Sequence, residues 1–157
     1  MTYNSRAVQS LVELHEREMR SFLETWNRFA SSGFPMPETH GDESYASRER
    51  LAGHVLMAAR GYLVRIGEWV GRPVTDVDGS TDPEDIIRRA TEFIGAVLGA
   101  YRRHLAEVTN EELEPQVHKT RWGEVMSVEM LLEHAVVHPM RHRVQLERIL
   151  AGGGSES

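Results

Sequence analysis

Three histidines stand at four-residue intervals late in the sequence: His134, His138 and His142, within EHAVVHPMRHRVQL. On an α-helix, residues four apart stack on one side, one turn above the other. Two imidazoles so placed can grip one metal ion, and histidine is the commonest metal ligand. A third ligand has to come from another segment, and His54 in RERLAGHVLMAARGYL is the candidate. The competing reading is ordinary core histidines whose ring nitrogens are hydrogen-bonded. No HExxH is present, which leaves a zinc protease of that type unsupported. No pair of Glu-x-x-His segments occurs to make a di-iron centre.

A helical wheel separates the three. Val128, Leu131, Ala135, Leu146 and Ile149 cluster on one arc. His138 and His142 fall inside it, about 40° apart, and His134 lies on its edge. Two buried imidazoles in adjacent turns are hard to satisfy among apolar neighbours, whereas one divalent ion satisfies both. Pro139, between them, removes one helical hydrogen bond and tends to kink the axis. His15 lies on the apolar side of the first helix and reads as a packed histidine. His104 sits near a helix C-terminus, and His40 and His118 are in loops. Arg121 and Trp122 stand where they could border a pocket.

Long amphipathic helices must position these side chains. Val8, Leu11, Val12, His15, Met19, Phe22, Leu23 and Trp26 recur at steps of three and four, which predicts a helix from Ser5 to Ala30. A polar, mobile loop is expected from Ser31 to Tyr45. Ser47 caps a second helix running to Val70, with Leu51, Val55, Ala58, Tyr62, Ile66 and Trp69 as its stripe and His54 on the same side. Gly61 and Gly67 in this helix are expected to admit a close neighbour. Asp82-Pro83 opens a third helix, expected to run to Glu107. No helical period is visible between Thr109 and Met126, and VHKTRWGEVM suggests a hairpin turning at Trp122-Gly123. Ser127 caps a fourth helix to Ala151. Four such helices bury their faces most simply in an all-α four-helix bundle. Residues 1–151 are expected to form one domain, and 152–157 a flexible tail.

Composition narrows the function. The chain has 157 residues, a net charge of −6 and no cysteine. The acidic balance argues against a general nucleic-acid binder. Without cysteine, thiolate zinc sites and a cysteine nucleophile are excluded. No apolar run approaches the roughly 20 residues of a membrane span, and the N-terminal residues lack the hydrophobic segment of a signal peptide. The expectation is a cytoplasmic protein with no membrane or nucleic-acid partner.

HAVVHPMRHRVQ resembles the H-x3-H-x3-H-R-x-Q signature on the last long helix of the DinB/YfiT-like superfamily of metal-binding four-helix bundles. RERLAGHVLMAARGYL is similar to the second-helix segment carrying that family's other ligand, and RWGEVMSVEMLLEH to the stretch leading into the last helix. Val144 stands where many members have glycine. The resemblance implies that His54, His138 and His142 hold a divalent ion, often zinc or nickel. It also implies a homodimer and, in some relatives, thiol-dependent transfer with a low-molecular-weight thiol. Three neutral histidines leave open positions on a metal, the catalytic rather than the closed pattern. The expected chemistry is a thiol activated by the ion and attacking an electrophilic small molecule, with His134, Gln145 and Arg141 orienting ligands around the metal. Metal-assisted hydrolysis and a non-catalytic stress-response module are the alternatives.

Overall fold

Helices begin where a short polar side chain can satisfy a free amide. Ser5 accepts from Val8 N, Ser47 from Arg50 N, Asp82 from Glu84 N and Ser127 from Met130 N. The computed structural model describes residues 1–152. Its α-helices are α1 (Arg6–Ala30), α2 (Arg48–Trp69), α3 (Pro83–Arg88), α4 (Ala90–Leu105), α5 (Asn110–Leu113) and α6 (Val128–Leu150). A short 3-10 turn, Glu43–Tyr45, precedes α2. Two-residue strands β1 (His118–Lys119) and β2 (Val125–Met126) pair antiparallel, His118 with Met126. Among the described residues the protein is thus all-α apart from one small hairpin. The expected tail falls outside the described residues except for Gly152, whose positive φ of 82° follows the end of α6.

The long helices α1, α2, α4 and α6 share one core. α1 packs on α6 and α4, and α2 packs on α6 and α4. Phe22, Phe29, Met19, Leu51, Leu63 and Tyr101 are fully enclosed. Each such apolar side chain contributes roughly 1.5–3 kcal/mol through burial. Tyr101 also donates its hydroxyl to the carbonyl of Ala59 at 2.7 Å, tying α4 to α2. Arg143 of α6 donates to Glu18 of α1 at 3.2 Å, giving that 6%-exposed carboxylate its partner.

Three features differ from the sequence expectation. The third helix does not run unbroken from Pro83 to Glu107. It breaks at Arg89, whose backbone sits at φ −106°, ψ 26° and whose guanidinium is bound to Asp78 and Asp85. The segment after Val108 is not free of helix: Thr109 and Glu112 close a capping box that starts α5. The hairpin turn centres one residue earlier than expected. Gly123 N donates to Thr120 O, and Gly123 takes φ 92°, so Arg121 and Trp122 are the corner residues and glycine supplies the left-handed step.

Of the glycines expected to admit a neighbour, Gly67 does so: a Cβ there would lie 2.8 Å from the carbonyl oxygen of Arg72. Gly61 faces open space instead. The closest approach is at Gly53, where a Cβ would meet the backbone of Pro83 at 2.5 Å, so α3 rests directly on the turn of α2 that carries His54. Among the described residues, no helix is long and apolar enough to cross a membrane.

Candidate metal centre

His54 reaches the centre from α2, and His138 and His142 reach it from α6. One ring nitrogen of each lies within 4.8 Å of the others. Nε2 of His54 faces Nε2 of His138 at 3.2 Å. The ring of His142 lies edge-on to both, with centroids 4.9 Å from His138 and 5.6 Å from His54. α6 runs unbroken through buried Pro139, between the two histidines it supplies.

The proton positions can be argued from the partners. Tyr45 donates its single hydroxyl proton to Oε1 of Gln145 at 2.9 Å. The Tyr45 hydroxyl oxygen also lies 3.1 Å from Nδ1 of His142. With its proton committed, the phenol oxygen accepts from His142 Nδ1–H, which leaves the lone pair on Nε2. That Nε2 atom is buried and has no hydrogen-bond partner. A buried nitrogen without a partner is a costly arrangement unless something else satisfies it. Nδ1 of His138 is likewise buried without a partner.

Burial holds all three imidazoles neutral. It pushes His138 down to about 3, helped by the neighbouring His142, His54 and His134 rings and by the Arg141 guanidinium. Burial also lowers His142 to about 4, with further lowering from His54 and Arg141. His54 is lowered by the same burial, which Asp42 partly offsets. Neutral imidazole is the form that ligates metal. The donor set therefore fits a divalent ion: two nitrogens each about 2.0–2.1 Å from one tetrahedral zinc lie roughly 3.3–3.4 Å apart, close to the 3.2 Å between His54 and His138.

The other candidates sort clearly. His134 is outside the cluster, its ring between Tyr62 at 5.3 Å and Trp122 at 5.6 Å. Gln145 acts through Tyr45. Arg141 is exposed, and its charge reaches all four histidines of the region. His15 is fully buried and stacks on Tyr101 at 4.1 Å, with neither ring nitrogen partnered. His104 binds Asp76 at 2.7 Å, and His118 stacks on Trp69 at 4.6 Å.

Two residues of the neighbourhood escaped the sequence reading. Tyr45 lies at the end of the segment expected to be mobile, yet its hydroxyl contacts the site. Asp42, one turn earlier, raises the proton affinity of His54 and His142 by its charge. Its own carboxyl is held below the ordinary range by bonds from Ser44. Asp42 is the N-cap of the 3-10 turn, and an Asp-x-Ser step at a helix start is the signal that could have located both.

Two clefts reach the cluster. The first, about 270 Å³, touches His54 and runs past Tyr62 and Arg65 to Arg121 and Trp122 at the hairpin turn. The second, about 440 Å³, touches His142 and Tyr45 and is bordered by Arg141 and Arg148. They share no lining residue.

A model of the DinB family matches residues 38–157, which include every element that supplies this cluster. The chain belongs to the DinB family. No curated protein and no solved structure matches it.

Proposed function

We propose that this DinB-family protein, a four-helix bundle of that type, holds one divalent ion, zinc or nickel, on His54, His138 and His142 and uses it to activate a low-molecular-weight thiol for transfer to an electrophilic substrate. The observation that carries the metal is the set of inward nitrogens: Nε2 of His54 and His138 facing at 3.2 Å beside the unpartnered, buried Nε2 of His142. An ion held by three neutral imidazoles would lower the pKa of a thiol that joins it.

The chain's own residues have separable tasks. Tyr45 and Gln145 keep the His142 proton on Nδ1, and Arg141 adds positive potential that disfavours protonation of the imidazoles. Tyr62 walls the centre beside His138 and His134, its hydroxyl pushed up to about 12 by burial, so it stays protonated. The chain has no cysteine, so the sulfur comes from the small thiol. Two clefts that reach different ligand histidines suit a reaction with two substrates.

Metal-assisted hydrolysis is the second reading, and Asp42 is what favours it: a carboxylate whose charge is felt at His54 and His142 could take a proton from water. Metal analysis of the wild type beside His54→Ala, His138→Ala and His142→Ala tests the centre. About one ion per chain in the wild type and none in the variants is the expected result, and a wild type that binds neither zinc nor nickel overturns it. Turnover that requires a thiol supports transfer. Thiol-independent turnover abolished by Asp42→Asn would establish hydrolysis instead.

A further inference from the structure

The cleft that reaches His54 carries information about what enters it. Its lining combines apolar Met57, Tyr62 and Trp122 with cationic Arg65 and Arg121, α2 and the hairpin turn each supplying both kinds. No Asp or Glu lines it, although acidic residues outnumber Lys and Arg by 24 to 18 in the chain. Among the described residues Arg121 has no ion-pair partner. Arg65 uses one N–H on Glu68 and has others free for a ligand.

The hairpin turn is built to present these groups. Gly123 in the left-handed region makes Arg121 and Trp122 the corner. Trp122 is half exposed yet oriented, because its Nε1 donates to Glu124 at 2.9 Å and its ring lies against His134. Gly61 also lines the cleft, and its absent side chain leaves open space, with nothing within 4 Å of where a Cβ would stand. A volume of about 270 Å³ lies at the small end of ligand pockets. It suits a compact body against Tyr62 and Trp122 with an anion turned toward the arginines. Guanidinium groups bind carboxylates with paired, charge-assisted hydrogen bonds.

We propose that this cleft binds a small organic carboxylate with an apolar, ring-sized body, anchored by Arg121 with Arg65, beside the histidine centre. The binding does not depend on the thiol-transfer reading.

Benzoate and its uncharged amide, benzamide, are the probes, titrated calorimetrically into the protein stripped of metal and, separately, loaded with zinc. Benzoate is expected to bind both forms, with benzamide weaker by about tenfold or more, as expected for loss of a charged hydrogen-bonded pair. Arg121→Ala is expected to lose benzoate affinity by a similar factor at an unchanged melting temperature. Equal binding of the two probes would mean a merely apolar slot and overturn the proposal, as would full benzoate affinity in Arg121→Ala. Benzoate binding confined to the zinc-loaded form and indifferent to Arg121→Ala would assign the anion to the metal and also overturn it. If zinc fails to bind but benzoate still binds through Arg121, the metal reading falls and the cleft assignment stands.

Discussion

Replacing Tyr45 by Phe removes one oxygen and keeps the ring. In the native protein that oxygen donates to Gln145 at 2.9 Å and lies 3.1 Å from Nδ1 of His142. It therefore selects the His142 tautomer with a free lone pair on the buried Nε2. Without it, Nδ1–H loses its acceptor and the tautomer protonated on Nε2, which cannot ligate, competes. Loss of such an outer partner lowers metal affinity about 10–100-fold, or roughly 1.4–2.7 kcal/mol. The metal-free fold should itself lose about 1–2 kcal/mol, because two hydrogen bonds at a partly exposed phenol are removed, the one to Gln145 and the one from His142. The assay is competition for zinc against a chromogenic chelator at neutral pH, with His142→Ala as the variant that lacks the ligand. Zinc binding by Tyr45→Phe at wild-type affinity, while His142→Ala loses it, would refute the idea that the phenol sets the tautomer.

The remaining predictions concern stability. His15 is held at about 3, against 6.5 for the free side chain, by burial; a depressed histidine contributes fully above about pH 6.5 and loses that contribution as pH falls toward its folded value. Between about pH 6.5 and 5 it should cost roughly 2 kcal/mol, so denaturant titrations of His15→Phe should show a pH slope smaller by one proton over that window, and an unchanged slope would be evidence against a neutral, buried His15. Gly53→Ala and Gly61→Ala should move melting temperature in opposite directions: the first forces a Cβ into the Pro83 backbone and should cost about 1–3 kcal/mol, while the second meets nothing and should gain about 0.5–1 kcal/mol of helix propensity.

Local signals made most of the helices legible. Serine caps marked the starts of α2 and α6 and an apolar period marked α1, because an N-cap hydroxyl and a 3.6-residue period are properties of the segment itself. The break at Arg89 was not legible, since the apolar stripe continues across it and the anchoring carboxylates, Asp78 and Asp85, have many other possible partners. α5 was overlooked although Thr109-x-x-Glu112 is a local signal, because four residues are too few to show a period. The Asp42-x-Ser44 step marks the turn that carries Tyr45, but not what its hydroxyl meets. Its partners are about a hundred residues away, and only the packing of α6 beside the turn before α2 brings them together.

The histidine pair was legible because four-residue spacing fixes the relation between His138 and His142 before any tertiary contact forms. The α2 side was read less well. Leu51, Val55 and Ile66 of its stripe are buried core, but Ala58 and Tyr62 of the same stripe line a cleft with His54. An apolar period cannot tell a face covered by another helix from one left for a ligand. Charge can make that distinction. Arg141 bears on all three proposed ligands, and a guanidinium there opposes a dication as surely as it opposes a proton. That opposition lessens when an anion joins the centre, because the anion is attracted by both positive charges at once. Arginines at both clefts are therefore poor company for a bare structural ion and good company for an ion whose working state includes an anionic ligand. The arrangement favours a centre that binds metal and anionic reactant together over one that uses metal only to hold helices in place.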